Sequence, residues 1–284
     1  MNAVPVTAAR VGPLLPYRRR DAHKGDFGKV HIFGGSVGYT GAPVLAALGA
    51  LRTGAGLVYL SVPEEIYPIA AVKCLEAMVF PLSKGEAGIE AAKCALAGKD
   101  AVLIGPGLGR SEWAEELALT LLEAAECPVV LDADGLNAAA AHIDKLDGRR
   151  GRVTVLTPHE GEFARLGGDL SPGRERAALD FAAAHGCVLV LKGHETLTAL
   201  PDGALFVNTT GNPGMAAGGS GDVLAGMILS LLGQGLSPAD AAAAAVWLHG
   251  RAGDLTAAEL GEYGMLPSDL VEQVPYAILE TTRA

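Results

Sequence analysis

Short, uninterrupted apolar runs recur along the chain at 29–33, 57–62, 101–104, 129–131, 153–156 and 187–191, each closed by a cluster of glycine or polar residues. Continuous apolarity at strand length, instead of in/out alternation, is what strands covered on both faces show. A further short strand is predicted at 76–81. Between these runs lie longer Ala/Leu-rich stretches of helical length, ending near residue 53 and then covering 64–72, 86–97, 111–126, a segment after 162, and 172–185. Strands alternating with helices predict right-handed βαβ units, hence an α/β fold with a mainly parallel central sheet covered by helices on both faces. The pattern changes late: 197–200 and 204–208 flank Pro201-Asp202-Gly203 as a hairpin. Helices at 222–233, 237–255 and 268–280 follow, the last interrupted by Pro275. With no low-complexity linker and no internal repeat, residues 23–284 read as one domain behind a Pro-rich leader, 1–22.

Half of the 284 residues are apolar, enough for a sizeable core. The formal net charge of −10 leaves no basic footprint for nucleic acid. Arg18-Arg19-Arg20 reads as a solvated surface run. No apolar run is long enough to span a bilayer and no signal peptide is recognisable, so a cytoplasmic location is expected. Cys74, Cys94, Cys127 and Cys187 are widely spaced, each beside apolar residues and without a CxxC pair, and are read as buried reduced thiols.

The candidate chemistry sits at the strand ends, where open parallel sheets bind ligands. The stretch Asn212-Pro213-Gly214-Met215-Ala216-Ala217-Gly218-Gly219-Ser220-Gly221-Asp222 runs directly into an apolar helix. Small residues ahead of a helix start expose backbone N–H groups to an anion, and the helix dipole adds to the attraction. Asp222 is then either a helix cap or a base. Asp132 and Asp134 close one strand and Glu160 and Glu162 follow the next; such carboxylates could hold Mg²⁺ through water, while Asp134 could equally cap a helix. His159, presented by Thr157-Pro158, falls on the ligand side. His249, beside Trp247 and Leu248, reads as a packing histidine, and His142 and His185 as surface residues near helix ends. Gly105-Pro106-Gly107-Leu108-Gly109 imitates a dinucleotide fingerprint, but its last glycine comes one residue early. Gly34-Gly35-Ser36-Val37-Gly38 matches a nucleophile elbow, yet too few strands precede it. There is neither a P-loop nor a zinc-protease His pair.

Taken together these residues carry a resemblance. Gly218-Gly219-Ser220-Gly221-Asp222 after a late hairpin resembles the anion hole and catalytic Asp of ribokinase-like small-molecule kinases. His23 to Gly28, Gly34-Gly35-Ser36 through Ala42, Gly105 to Gly109, Asp132 to Asn137, Thr157 to Glu162, Lys192-Gly193 through Thr196, and Asn212 to Met215 are similar, in collinear order over about 23–255, to the ADP-dependent NAD(P)H-hydrate dehydratases. The resemblance implies a ribokinase-like three-layer sandwich that dehydrates the S epimer of NADH hydrate and NADPH hydrate with ADP, giving AMP and phosphate. It implies Asp222 as catalytic base and Gly219, Ser220 and Gly221 as the anion hole. Ala42, Gly107, His159 and Asp222 would line the hydrate pocket, and Lys192, Gly193, His194, Glu195, Thr196 and Gly221 the nucleotide side. Mg²⁺ is expected on the phosphates, with Glu160 the first candidate ligand. By the same resemblance a homo-oligomer, such as a tetramer, and a separate hydrate epimerase are also expected. A vitamin-precursor alcohol kinase and a non-catalytic nucleotide sensor share the same cradle and remain alternatives.

Overall fold

In the computed structural model, which describes residues 3–283, the strands are β1 (Val4–Pro5), β2 (Lys29–Phe33), β3 (Leu57–Pro63), β4 (Met78–Leu82), β5 (Ala101–Ile104), β6 (Val129–Leu131), β7 (Thr154–Leu156), β8 (Val188–Leu191), β9 (Leu197–Ala199) and β10 (Leu205–Val207). They form one 10-stranded sheet in the order β1-β10-β9-β8-β7-β6-β5-β2-β3-β4. From β4 to β8 every pairing is parallel; β9 runs antiparallel to both β8 and β10. The predicted hairpin is therefore the antiparallel extension of a parallel sheet. Within the stretch expected as a leader, β1 pairs with β10 and Val6 and Val11 are buried.

The two-sided apolarity of the strands is divided between two cores. Val30 and Ile32 of β2, Leu103 of β5 and Val190 of β8 face a core shared with helices Gly41–Arg52, Ser220–Gly233, Pro238–Leu260 and Pro267–Arg283. Phe33, Val102, Ile104, Leu189 and Leu191 face the other, under helices Glu86–Ala95, Glu112–Ala124, Asp134–Ala141 and Arg174–His185. Successive strand residues point to opposite faces, so each run stabilises both layers.

Two details of the first core position the site. Helices 41–52 and 220–233 pack backbone to backbone: a Cβ on Gly49 would lie 2.5 Å from Val223 O, and one on Gly226 would overlap Ala46 O. The second detail is the helix start. It begins at Ser220, two residues earlier than predicted, with Gly219 (φ 110°) as N-cap. Asp222 is thus the third helical residue and not the cap. Glycine alone reaches that left-handed cap geometry without strain. At the other end of the chain, helix 238–260 overruns its predicted stop at 255, running one turn beyond its last buried residue, Thr256, to its C-cap Gly261.

Candidate functional site

The sheet reverses its winding between β2 and β5, and the crevice above their carboxyl ends is the expected ligand position. Gly35 N–H donates to Pro106 O (2.8 Å) and Ser36 Oγ to Gly107 O (2.8 Å), locking the two strand-end turns together. A Cβ on Gly107 would sit 3.0 Å from Ala42 Cβ and 2.9 Å from Tyr39 Cβ. Ala42 and Gly107, far apart in sequence, therefore share one wall. Asp134 neither caps its helix, whose N-cap is Ala133, nor stands free: Oδ2 accepts from Gly109 N–H (2.8 Å) and Oδ1 from Asn137 Nδ2 (3.1 Å). It fastens the glycine turn.

Next to this wall lies a buried charge network. Lys192, at the end of β8, places Nζ 3.0 Å from Asp132 Oδ1 and 3.7 Å from Glu162 Oε2. Thr157 Oγ1 donates to the same Asp132 oxygen at 2.7 Å. Asp132 is 2% exposed, and the following Ala133 adopts φ 49°, a conformation costly for a residue with a Cβ. Burial opposes the charge on Lys192, but the Asp132 and Glu162 carboxylates overcome it and raise its proton affinity. Asp222 is pushed up to about 7, first by burial and then by the Asp132 charge, with Lys192 pulling the other way. A Cβ on Gly221 would lie 3.3 Å from Lys192 Nζ, so the lysine faces the start of helix 220–233.

Among the described residues no protein acceptor takes the N–H groups of Gly219, Gly221 or Asp222, whereas Ser220 N–H is bonded to Ala217 O at 3.2 Å. The cradle is open at two of the three expected positions and gains Asp222 N–H, which the sequence did not suggest. His249 is buried with Nε2 2.9 Å from Ser220 O, and burial lowers its pKa to about 4. Neutral Nε2–H donates to that carbonyl; the packing histidine braces the cradle.

His159 caps helix Glu160–Arg165: Nδ1 accepts from Gly161 N–H (2.9 Å) and Glu162 N–H (3.3 Å), while Glu162 Oε2 accepts from His159 N–H (2.9 Å). This leaves the proton on Nε2, on a half-exposed ring. A parallel bridge joins His159 to Lys192. In the loop 192–196, Thr196 Oγ1 donates to Gly193 O (3.0 Å), and Glu195 takes φ 55°. Arg174, which no motif marked, donates to His194 O at 2.8 Å and pairs with Glu160 Oε1 at 3.0 Å. Among the described residues no group of three or more His, Cys, Asp or Glu is arranged to hold a metal ion. Glu160 is held by Arg174, and Asp132 and Glu162 by Lys192. The donors present do not build a protein cage for Mg²⁺, which suits an ion carried mainly on phosphate oxygens and water.

A parallel sheet with a late antiparallel pair, an open helix start and a buried Asp/Lys couple define a ribokinase-like protein. Ribokinase from Thermotoga maritima, 16% identical, shares the fold at a TM-score of 0.56 over 89% of this chain and 100% of its own. A family model described as NAD(P)H-hydrate dehydratase matches residues 30–276, and the chain belongs to that family. The bifunctional NAD(P)H-hydrate repair enzyme Nnr of Moorella thermoacetica is 44% identical over 96% of this chain and 53% of its own length. The chain thus spans about half the length of the bifunctional relatives. The ADP-dependent (S)-NAD(P)H-hydrate dehydratase of Neisseria meningitidis is 40% identical over 88% of this chain and 84% of its own. The structure of an ADP/ATP-dependent NAD(P)H-hydrate dehydratase from Bacillus subtilis, co-crystallised with ATP/Mg²⁺, superposes with a TM-score of 0.85 at 33% identity, covering 99% of both chains.

Proposed function

We propose that the chain dehydrates the S epimer of NADH hydrate and NADPH hydrate, using ADP and releasing AMP and phosphate. The observation that carries this reading is Asp222, a half-buried carboxyl with its pKa pushed up to about 7, beside unpaired N–H groups at a helix start and facing Lys192. A base poised near neutrality can both take and return a proton.

In this reading Asp222 removes the proton from the ring hydroxyl as its oxygen attacks the terminal phosphorus of ADP. The new O–P bond forms as the bond to the AMP oxygen breaks. The N–H groups of Gly219, Gly221 and Asp222 hold the transferring phosphoryl oxygens, where fixed donors are worth most. The ring nitrogen then supplies the electron pair that expels phosphate from carbon, and loss of a proton from the neighbouring ring carbon to the departing phosphate restores the ring double bond of the dihydronicotinamide. Lys192 offsets phosphate charge from the β8 end, and residues 193–196 line the nucleotide side. Ala42 and Gly107 form the wall against which the hydrate rests, and His159 offers Nε2–H at its edge. Mg²⁺ supplies charge neutralisation to the nucleotide phosphates. ADP is favoured as co-substrate because the Neisseria relative carries it in its name. A functional link to a hydrate epimerase acting on the same damaged nucleotides, and assembly into a homo-oligomer such as a tetramer, belong to the same proposal.

The test is incubation with ADP, Mg²⁺ and NADH hydrate, following reduced-nicotinamide absorbance together with AMP and phosphate. Recovery of NADH with equal AMP and phosphate supports the reading. A stable phosphorylated alcohol with no recovered NADH points to the kinase alternative, and binding without turnover to a sensor.

A further inference from the structure

Arg174 opens helix Arg174–His185 and reaches back across the ends of two strands. Nη1 donates to His194 O at 2.8 Å, Nη2 lies 3.5 Å from Leu191 O and from Lys192 O, and Nε lies 3.0 Å from Glu160 Oε1. A Cβ on Gly193 would come within 2.7 Å of Nη2, so the guanidinium lies directly over the loop backbone. One planar fork therefore gathers the last carbonyl of β8 and two carbonyls of the loop that follows, and forms an ion pair, without an aligned hydrogen bond, to a carboxylate from the helix after β7. Its side chain is only 29% exposed. From these contacts we infer that Arg174 is a positioning residue, which turns the carbonyls of loop 192–196 away from the nucleotide and ties that loop to the His159 helix.

The physical reason is the fixed geometry of the fork. Arginine donates from one plane in several directions, whereas lysine offers a point charge on a flexible stem. Lys192 N–H is taken by Pro158 O (2.8 Å) and Gly193 N–H by Thr196 Oγ1 (3.4 Å), so carbonyls held by the guanidinium leave the N–H groups of residues 194–196 to face phosphate. Lys192 lies in the same loop, and its place between Asp132 and Glu162 depends on the backbone that Arg174 holds. The inference rests on the nucleotide role proposed above for residues 192–196. Its structural half, the tether, is measurable without any nucleotide.

The experiment compares wild type, Arg174→Gln, Arg174→Lys and Glu160→Gln, with Arg176→Gln as control, since among the described residues Arg176 pairs with Asp180 alone, on its own helix. Amide hydrogen exchange of 192–196 is read first without nucleotide, then Mg·ADP affinity, then kcat and KM for ADP in the hydrate assay. Expected are faster loop exchange in both Arg174 variants, about tenfold weaker ADP binding and a matching rise in KM, with kcat at saturation within about twofold; a tenfold loss is the scale of one charged hydrogen bond. Glu160→Gln, which keeps the carbonyl bonds, shifts the same quantities less. Wild-type ADP affinity in Arg174→Lys would overturn the inference, because charge without the fork would then suffice. Unchanged loop exchange in Arg174→Gln would overturn it as well. Faster exchange in a protein whose wild type binds no ADP would keep the tether and sink the nucleotide reading instead.

Discussion

Replacing Asp222 with Asn should make the protein more stable while disabling it. The carboxyl is raised from 3.8 to about 7 by burial and by Asp132 against the opposing pull of Lys192, so ionising it in the folded state costs free energy. At about 1.36 kcal/mol per pKa unit, a rise of about three units amounts to about 4 kcal/mol. The sign follows from proton binding. Below about pH 4 the group is protonated whether folded or not, and the penalty is absent. Between about pH 4 and 7 the folded state binds more protons than the unfolded one, so stability falls as pH rises; above about 7 the penalty is complete. Asn keeps the shape and removes the charge. At about 2 °C per kcal/mol for a chain of this size, Asp222→Asn should melt about 8 °C above wild type at pH 8 and close to it at pH 4. Turnover in the hydrate assay should fall by about 10² or more, with ADP still bound. Thermal melts at the two pH values, without nucleotide, provide the check. A variant that melts at or below wild type at pH 8 would refute the account of Asp222 as a carboxylate held at electrostatic cost.

Lys192→Met leaves Asp132 and Glu162 without their cation and should destabilise by about 3–5 kcal/mol in urea titrations. It also removes the attraction that holds Asp222 down, so the acid limb of any residual activity should move to higher pH; an unmoved limb would count against the couple. His31 and His249 are both buried, which lowers their pKa values from 6.5 to about 3 and about 4. Their folded states bind fewer protons than the unfolded chain, so stability present above about pH 6.5 is lost as pH falls toward 4. In the Asp222→Asn background, where the opposing carboxyl is gone, that loss should approach about 2.7 kcal/mol per pH unit, and a flat profile would contradict it. Gly226→Val should lower expression and melting temperature sharply, because its side chain would drive into the Ala46 backbone; a melting temperature within 2 °C of wild type, about 1 kcal/mol, would show that the helix pair can separate.

Most of the fold was legible because the strands carry it: uninterrupted runs such as 101–104 and 129–131 match the observed strands to the residue. Helix ends were less so. The start at Ser220 depends on a left-handed Gly219, and several glycines stood nearby as candidates. Thr157, Lys192 and Asp132 were each visible at a strand end. That they converge on one oxygen, Asp132 Oδ1, depends on the strand order, which no local pattern encodes. Arg174 had no signal at all: an arginine opening an amphipathic helix is ordinary until the neighbouring strand end is known to lie beneath it.

The close helix pair has a mechanical consequence. Helix 41–52 begins beside Ala42 and helix 220–233 begins with the cradle, so the two proposed substrate halves grow from rods that touch through their main chains. Side chains can yield by changing rotamer; a main-chain contact between Gly49 and Val223, or Gly226 and Ala46, has no such freedom. The distance from the proposed hydrate wall to Asp222 is therefore a fixed gauge, insensitive to breathing elsewhere in the sheet. Change in what the protein accepts should arise in the loops that rim the crevice, since a single-residue insertion in either rod would swing its leading end by about 100° and take wall or base out of register.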